Sequence, residues 1–260
     1  MFEAIRRWRR KRILASAAIP EALWREALEA LPFLAVYTEP ELARLRERVV
    51  LFLSDKSIVG ARSFAVTPLM RVMIAIQACV LTLNLDPGLY DGWESVVVHP
   101  DEFVTGTEYE DEAGVVHRRN EPLAGEAMPG GPVVLSWPDV EADWSASGMN
   151  LVIHEFAHKI DMRNGEANGC PPLPPEMPPR KWQKTMLSAY EHFQSRVQDG
   201  EETAIDPYAA DSPAEFFAVL SEVFFADPTL LQGEYPSVYR LFTWFYRQDP
   251  ASRTELLLEH

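Results

Sequence analysis

The chain has 260 residues, 47% of them hydrophobic, and a formal net charge of −15 at pH 7. This length allows one large domain or two small ones, with ample apolar residues for a packed core. Residues 1–12 hold six Arg or Lys side chains against one carboxylate, a balance of +5, which leaves −20 for the rest. So acidic a body argues against direct nucleic-acid binding. No apolar run approaches the roughly 18–20 residues of a membrane span.

The two ends of the chain are expected to lie outside the folded domain. Residues 1–19 are predicted to form a basic, solvated N-terminal arm; a docking arm for an acidic partner or a membrane surface is the alternative. The apolar stretch 13–19 is short for a signal peptide, and the residues after it do not suit cleavage. Residues 251–260 are predicted to be a C-terminal tail.

The two cysteines lie in dissimilar surroundings. Cys79 belongs to an apolar run and is expected to be a buried small hydrophobe, whereas Cys170 lies in a loop rich in Gly and Pro. Such a pair does not indicate a disulfide framework. We therefore expect a reducing, cytoplasmic compartment.

Residues 20–90 are predicted to form a helical subdomain. Apolar residues recur at helical spacing in 20–31 and 39–54, and the strongly apolar run 68–85 is long enough for a buried helix. The polar stretch 54–60 is predicted to be a break between the second and third helices.

The middle of the chain changes to β-branched runs bounded by Gly and Pro. Strands are predicted at 94–100, 103–108, 115–118 and 130–138, with an acidic turn joining the second and third. The last strand directly precedes the motif helix described next. It either offers a free edge to an extended peptide or is an ordinary interior strand, and the pattern does not separate the two.

The second half is mainly helical. Helices are predicted at 148–163, 180–198, 212–226 and 235–247, separated by loops rich in Pro and Gly. The fold class is therefore α+β, mainly helical, with a small mixed β-sheet beside the helix at 148–163. We predict a single domain over 20–250, with residues 91–250 as its catalytic core.

The helix at 148–163 carries the pattern His-Glu-x-x-His as His154, Glu155 and His158. Residues four apart share one helix face, so both imidazoles can point at one ion, and Glu155 lies close enough to reach a water there. Two neutral imidazoles and a carboxylate are what a protein needs to bind Zn²⁺ and activate water. The pattern predicts a catalytic zinc site, against the alternative of two ordinary helix histidines.

A catalytic zinc site needs a third protein ligand. The metzincin pattern is excluded, because it requires Gly at position 161 and His at position 164, where the chain has Asp161 and Asn164. None of the other histidines is well placed for this role; they include His99, His117 and His192.

Three carboxylates remain in contention as the third ligand. Glu215 and Glu222 lie in the apolar helix 212–226, where a buried carboxylate needs a partner. Glu215 also fits a capping box with Ser212, and the pattern leaves cap and ligand evenly balanced. Asp161 could bind the metal or accept a hydrogen bond from the N–H of a metal-binding histidine.

Two long stretches carry a resemblance to a known family. They are Val-Ile-His-Glu-Phe-Ala-His-Lys-Ile-Asp-Met-Arg-Asn-Gly at 152–165 and Ile-Asp-Pro-Tyr-Ala-Ala-Asp-Ser-Pro-Ala-Glu-Phe-Phe-Ala-Val-Leu-Ser-Glu at 205–222. With 131–137 and 146–151, they resemble the Mlc titration factor A family of bacterial zinc peptidases. The resemblance extends from about residue 20 to residue 250, and the basic start is outside it.

The resemblance implies a set of roles. One zinc ion per chain would be bound by His154, His158 and Glu215, with Glu155 as general base and Tyr208 polarising the substrate carbonyl. The catalytic core is expected to be zincin-like and similar to that of the anthrax lethal factor protease. Members of this family are aminopeptidase-like on model substrates and bind the glucose-responsive repressor Mlc.

Two functions follow as hypotheses. The first is zinc-dependent hydrolysis of a peptide or protein substrate, with an Mlc-like repressor as a further partner. The alternative is a regulatory protein that sequesters a repressor and has a structural or vestigial zinc site. Its docking patch would be the aromatic helix at 235–247, unless that helix packs in the core. A structural zinc site has no need of a base at Glu155, which favours the first hypothesis.

Overall fold

The computed structural model describes residues 2–103, 108–110, 116–118, 123–143 and 149–258; the side chains of residues 2–6, 108–110, 116–118, 143 and 255–258 are not described. Helices make up most of the described chain. They are α1 Phe2–Ser16, α2 Glu21–Glu29, α3 Glu39–Asp55, α4 Pro68–Leu81, α5 Trp137–Asp143, α6 Leu151–Asp161, α7 Pro179–Gln198, α8 Pro213–Ala226, α9 Pro228–Glu234, α10 Pro236–Tyr246 and α11 Pro250–Leu258. Short 3-10 helices include Met162–Asn164 and Pro207–Ala210.

A mixed four-stranded sheet stands beside the helices. Its strands are β1 Ser57–Gly60, β2 Ser95–His99, β5 Gly125–Ala127 and β6 Val133–Ser136, and the spatial order is β1-β2-β6-β5. The first three in that order are parallel, and β5 is antiparallel to β6. A separate antiparallel pair joins β3 Glu108–Glu110 to β4 Val116–Arg118. The prediction of a mainly helical α+β fold with a small mixed sheet is confirmed.

Position in the sheet settles the question left open for the strand before the motif. Strand β6 pairs with β2 on one side and β5 on the other, so it is an interior strand with no free edge. Of the two alternatives, the interior strand is confirmed and the free edge for an extended peptide is wrong. The edge nearest the motif helix is β5, whose three residues are too few to show the alternation that identifies a strand.

The structure also differs from the predicted elements in a few other segments. The break predicted at 54–60 contains strand β1, which pairs with β2, and the predicted tail begins with helix α11. The basic segment forms α1, whose Arg and Lys side chains from 7 to 12 are exposed, while Ile13 and Leu14 pack against the core. The acidic turn and most of the strand predicted at 103–108 lie outside the described residues.

The motif helix α6 occupies the centre of the molecule. It packs against α8 and α4 on one side and against β5 and β6 on the other. Every residue from Val152 to Asp161 is buried. The helix that carries the predicted site is therefore held on all sides, and its side chains have fixed directions. No helix in the described parts of the chain is long and apolar enough to cross a membrane.

Candidate metal centre

Helix α6 begins at a capped end that fixes its first turn. The Asn150 side-chain oxygen accepts the backbone N–H of Ile153 at 2.9 Å, as asparagine does at a helix N-cap. One turn further on, His154 and His158 lie on the same face, with their ring centroids 4.7 Å apart. Both imidazoles are buried, at 8% and 7% exposure, so water does not compete freely for their nitrogens.

The two histidines meet Glu215 of α8. The Nε2 atoms of His154 and His158 lie 3.1 Å apart, and Glu215 Oε2 lies 3.0 Å from the first and 3.1 Å from the second. Three donor atoms from two helices thus form a nearly equilateral triangle. The structure brings together the three residues that the sequence analysis named as metal ligands.

Glu215 contributes its backbone to a helix cap and its side chain to the histidine cluster. The Ser212 hydroxyl accepts the backbone N–H of Glu215 at 3.2 Å, which caps the start of α8. The Glu215 carboxylate lies at the histidines, not at the cap residue. The cap and the cluster therefore use different atoms of Glu215, which is why the sequence pattern could not choose between them.

Glu222, also a candidate ligand from sequence, lies behind His154. Its Oε1 is 2.7 Å from His154 Nδ1, and its Oε2 accepts the backbone N–H of Asn150 at 2.6 Å. Asn150 also donates its side-chain amide to Gln77 at 2.7 Å. A carboxylate on Nδ1 fixes the tautomer with a free lone pair on Nε2 and holds the ring in place. The sequence gives no indication of this contact, because Gln77 is a single polar residue one turn before the end of the apolar helix α4.

Asp161 has a different role from Glu215. Its Oδ2 accepts the backbone N–H groups of Asn168 and Gly169, both at 2.7 Å. Burial raises the pKa of this carboxyl, although those bonds oppose the shift. Among the described residues, its Oδ1 and the Nδ1 of His158 are buried without a hydrogen-bond partner. Asp161 anchors the loop after α6 and is not part of the triangle.

The same loop fixes the start of α8. Gly169 adopts φ +76°, and a Cβ added to it would lie 2.4 Å from the carbonyl oxygen of Pro213. Only glycine allows this close approach in that conformation. The loop that Asp161 holds therefore rests on the first turn of α8, two residues before Glu215.

Charge in the cluster is tightly coupled. Burial lowers the pKa of His154, but its contacts with Glu215 and Glu222 raise it well above the usual value. Burial raises the pKa of Glu215, but the two histidines more than offset this and hold it well below its usual range. Burial raises the pKa of Glu155 to about 7, against the opposing effect of both histidines. Three carboxylates around two imidazoles form a site that attracts a cation.

The triangle fits a zinc ion. A tetrahedral zinc site with ligand bonds of about 2.0–2.1 Å places its donor atoms roughly 3.3 Å apart. The observed edges of 3.0 and 3.1 Å are close to this value, and two nitrogens with one oxygen are a donor set that zinc accepts. Three protein donors also leave a coordination position for water, as in catalytic sites.

Tyr208 lies at the open side of the centre. It belongs to the 3-10 helix Pro207–Ala210, is 43% exposed, and its ring centroid is 6.1 Å from that of His154. The Tyr208 ring therefore lies beside the cluster and is accessible to solvent. The remaining histidines add nothing described to the cluster: His99 ends β2 beside Phe103, His192 on α7 contacts Tyr235, and the side chains of His117 and His260 lie outside the described residues.

Edge strand β5 forms the opposite wall, and sequence reasoning missed it. A Cβ added to Gly125 would lie 2.4 Å from Glu155 Oε1 and 2.8 Å from Leu151 Cδ1. The strand backbone therefore lies against the Glu155 carboxylate, at a position where a side chain would displace Glu155 or Leu151. A lone glycine in a three-residue strand gives no sequence signal of this contact.

Comparison with known proteins agrees with the geometry. Residues 5–247 match the family model of the glucose-regulated metallo-peptidase M90. The matched range includes most of the basic N-terminal segment 1–19, which the resemblance seen in the sequence does not cover. A protein of Yersinia pestis strain Pestoides F named Mlc titration factor A is 39% identical over 235 residues, which cover 89% of this chain and 86% of the relative. Its namesake from Yersinia pseudotuberculosis strain IP 31758 has the same identity and coverage.

Proposed function

Since the chain belongs to the glucose-regulated metallopeptidase family M90, we propose that it hydrolyses peptide bonds with one Zn²⁺ bound by His154, His158 and Glu215. The observation that carries this proposal is the triangle of two Nε2 atoms and one carboxylate oxygen with 3.0–3.1 Å edges. When bound, zinc lowers the pKa of water towards about 7 and polarises a carbonyl group.

Glu155 is the general base in this proposal. Its carboxylate lies next to the two histidines, is buried, and has a pKa raised by burial to about 7. A carboxylate in this position can accept a proton from the attacking water and pass it to the leaving amine. The positive charge of a bound metal would favour the ionised form that accepts the proton.

Tyr208 stabilises the oxygen that gains negative charge. Its hydroxyl donates a hydrogen bond to the former carbonyl oxygen while the water adds. Its exposure allows the ring to move with the substrate, and its place just before α8 keeps it near Glu215. Glu222 acts through His154, which it orients from the Nδ1 side.

The substrate lies along β5. Among the described residues this strand pairs with β6, and Gly125 lets its backbone lie close to Glu155. A peptide extended along β5 would therefore pass within reach of the base. Aminopeptidase-like cleavage is part of the proposal and rests on the family resemblance alone.

An Mlc-like repressor is the proposed protein partner, because the similar Yersinia proteins are named Mlc titration factor A. Binding such a repressor would place the chain in the cytoplasm. The aromatic residues of α10 do not form an exposed docking patch, since Tyr239, Phe242, Phe245 and Tyr246 are at most 3% exposed and Trp244 is partly buried against the core. The repressor would bind elsewhere, and this function can coexist with hydrolysis.

The Glu155→Gln variant tests the peptidase proposal. It keeps the shape of the side chain and removes the base, so we expect zinc content and folding to be retained and hydrolysis of fluorogenic peptides to fall by at least about 10³-fold. Glu166→Gln, in the loop after α6, is the matched control. Hydrolysis at the parental rate by the zinc-loaded Glu155→Gln variant would show that this mechanism is wrong. Repressor binding measured on the same variant separates the two functions.

A further inference from the structure

Lys159 is a buried lysine on the motif helix that the proposed reaction does not use. It follows His158 directly in α6 and is only 4% exposed. Its described contacts are two backbone carbonyl oxygens and one aromatic ring. A buried ammonium group loses its hydration, so these contacts have to replace the hydrogen bonds that water would make. They therefore show what the lysine holds in place.

The Lys159 ammonium group binds both ends of the turn between β5 and β6. Its Nζ donates to the carbonyl oxygen of Met128 at 2.8 Å and to that of Gly131 at 3.0 Å. Met128 directly follows β5, and Gly131 lies two residues before β6. The backbone N–H of Gly131 also donates to the Met128 carbonyl at 3.0 Å, which closes the turn. The Nζ lies 4.9 Å from the centre of the Trp93 ring, a cation-π contact that adds to its hold.

Three residues of α6 face β5 and its turn. Leu151, Glu155 and Lys159 are spaced four apart, so they share one side of the helix. A Cβ on Gly125 would meet the first two, and Lys159 reaches the turn that begins at Met128. The strand is therefore attached to α6 at both ends. At its start the backbone approaches the helix closely, and after its last residue an ammonium group binds the turn.

Strand β5 needs such an attachment because its own pairing is short. It has three residues, stands last in the spatial order of the sheet, and pairs with β6 over three positions. So short a strand at the end of a sheet opens at a small cost in free energy. Hydrogen bonds from a charged donor are stronger than neutral ones. Loss of the Lys159 contacts should therefore loosen β5 before it affects the rest of the sheet.

We propose that Lys159 is a positioning residue that holds β5 against α6, and so sets the distance between a peptide extended along β5 and the base Glu155. It acts through the strand and not by contact with the substrate, because its ammonium group is buried and bound to the turn. The inference rests on the proposed function, since it takes the substrate to lie along β5.

The Lys159→Met variant tests this inference, because methionine keeps an unbranched apolar stem and has no ammonium group. We expect zinc content equal to that of the parent. The KM for an extended fluorogenic peptide should rise by about tenfold, the effect of losing hydrogen bonds from a charged group, while kcat changes by less than about twofold. Amides in residues 125–136 should exchange with deuterium at least about tenfold faster. A general loss of stability or of metal would instead lower kcat or the zinc content.

Lys181→Met is the matched control. Lys181 is exposed on α7, and its Nζ lies 4.8 Å from the centre of the Trp244 ring. The control substitution thus also removes a cation-π contact, but it leaves the turn after β5 intact. It should change neither KM nor the exchange of residues 125–136. If Lys159→Met does not fold by circular dichroism, Lys159→Gln, which has neutral donors on a shorter stem, is measured in its place.

The exchange and kinetic measurements fail in different ways. Parental exchange of residues 125–136 in the folded Lys159 variant would overturn the inference, whatever the kinetics. A fall in kcat at parental KM would also overturn it, since the lysine would then act on the metal or the base. A parent chain that hydrolyses no peptide would contradict the proposed function instead, and the exchange comparison would still decide whether Lys159 holds β5.

Discussion

The two walls of the metal centre are built in different ways. The helical wall, α6 and α8, contributes side chains from buried helices, and two of its carboxylates have defined contacts: Glu215 with the histidines, Glu222 with His154. The strand wall, β5, contributes mainly backbone, and its one critical residue matters because it has no side chain. Changes to the helical wall should therefore alter the metal and the chemistry. Changes to the strand wall should alter the position of the substrate and the base.

The largest expected effect is loss of the metal in the helical wall. Glu215→Ala removes one of three donors, so we expect zinc to be absent after dialysis and peptide hydrolysis to fall below detection. Asp161→Ala is the contrast, because Asp161 anchors the loop and does not belong to the triangle. It should keep its zinc while unfolding at lower denaturant concentration. Elemental analysis that found zinc in the first variant and none in the second would reverse the assignment.

Tyr208→Phe should have the second-largest effect on hydrolysis. Removing one donor to a developing oxyanion costs on the order of 10²–10³ in kcat. Because the ring remains, KM should change little, and zinc content should equal that of the parent. Steady-state kinetics with a fluorogenic peptide separate the two constants. An unchanged kcat would remove Tyr208 from the mechanism and leave the metal as the source of stabilisation.

Gly125→Ala tests the strand wall. The new methyl group would meet Glu155 Oε1 at 2.4 Å, so the base or the strand has to move. A displacement on the order of 1 Å can cost about 10²-fold in rate, and we expect kcat/KM to fall by that amount with zinc retained. Gly233→Ala on α9 is the control, since a Cβ there meets nothing within 4 Å. Loss of zinc from Gly125→Ala would mean that the two walls are not independent.

Glu222→Gln should have the smallest of these effects. An amide can still contact His154 Nδ1 but no longer carries the charge that increases the basicity of the ring. Changes of this kind typically lower metal affinity by about 10–100-fold. Competition with a chromogenic chelator measures that affinity directly. An affinity equal to that of the parent would show that Asn150 and the packing of α6 orient His154 without help from the charge.

The sequence predicted the helical wall far better than the strand wall. The spacing of His154 and His158 and the apolar residues around them were enough to predict α6, because helical periodicity is visible over eleven residues. Glu215 was reached only through the family resemblance, since its position also fits a helix cap. Strand β1 was missed because it lies in a stretch that is polar overall, and β5 because Gly-Glu-Ala contains no β-branched or aromatic residue. The roles of Glu222 and Gln77 depend on contacts between elements far apart in the chain.

Gly169 affects the entropy of metal binding, because it lets the loop after α6 contact the start of α8. Asp161 ties the loop to the end of α6, and the bare backbone at Gly169 lets that loop rest on the first turn of α8. The separation between the histidines and Glu215 is thus set by main chain, before any ion arrives. A metal that enters has no segment to order, so its affinity is not reduced by a folding penalty. Zinc binding should therefore leave the conformation of the surrounding helices unchanged, and any added protection of their amides against hydrogen exchange should equal the free energy of zinc binding alone.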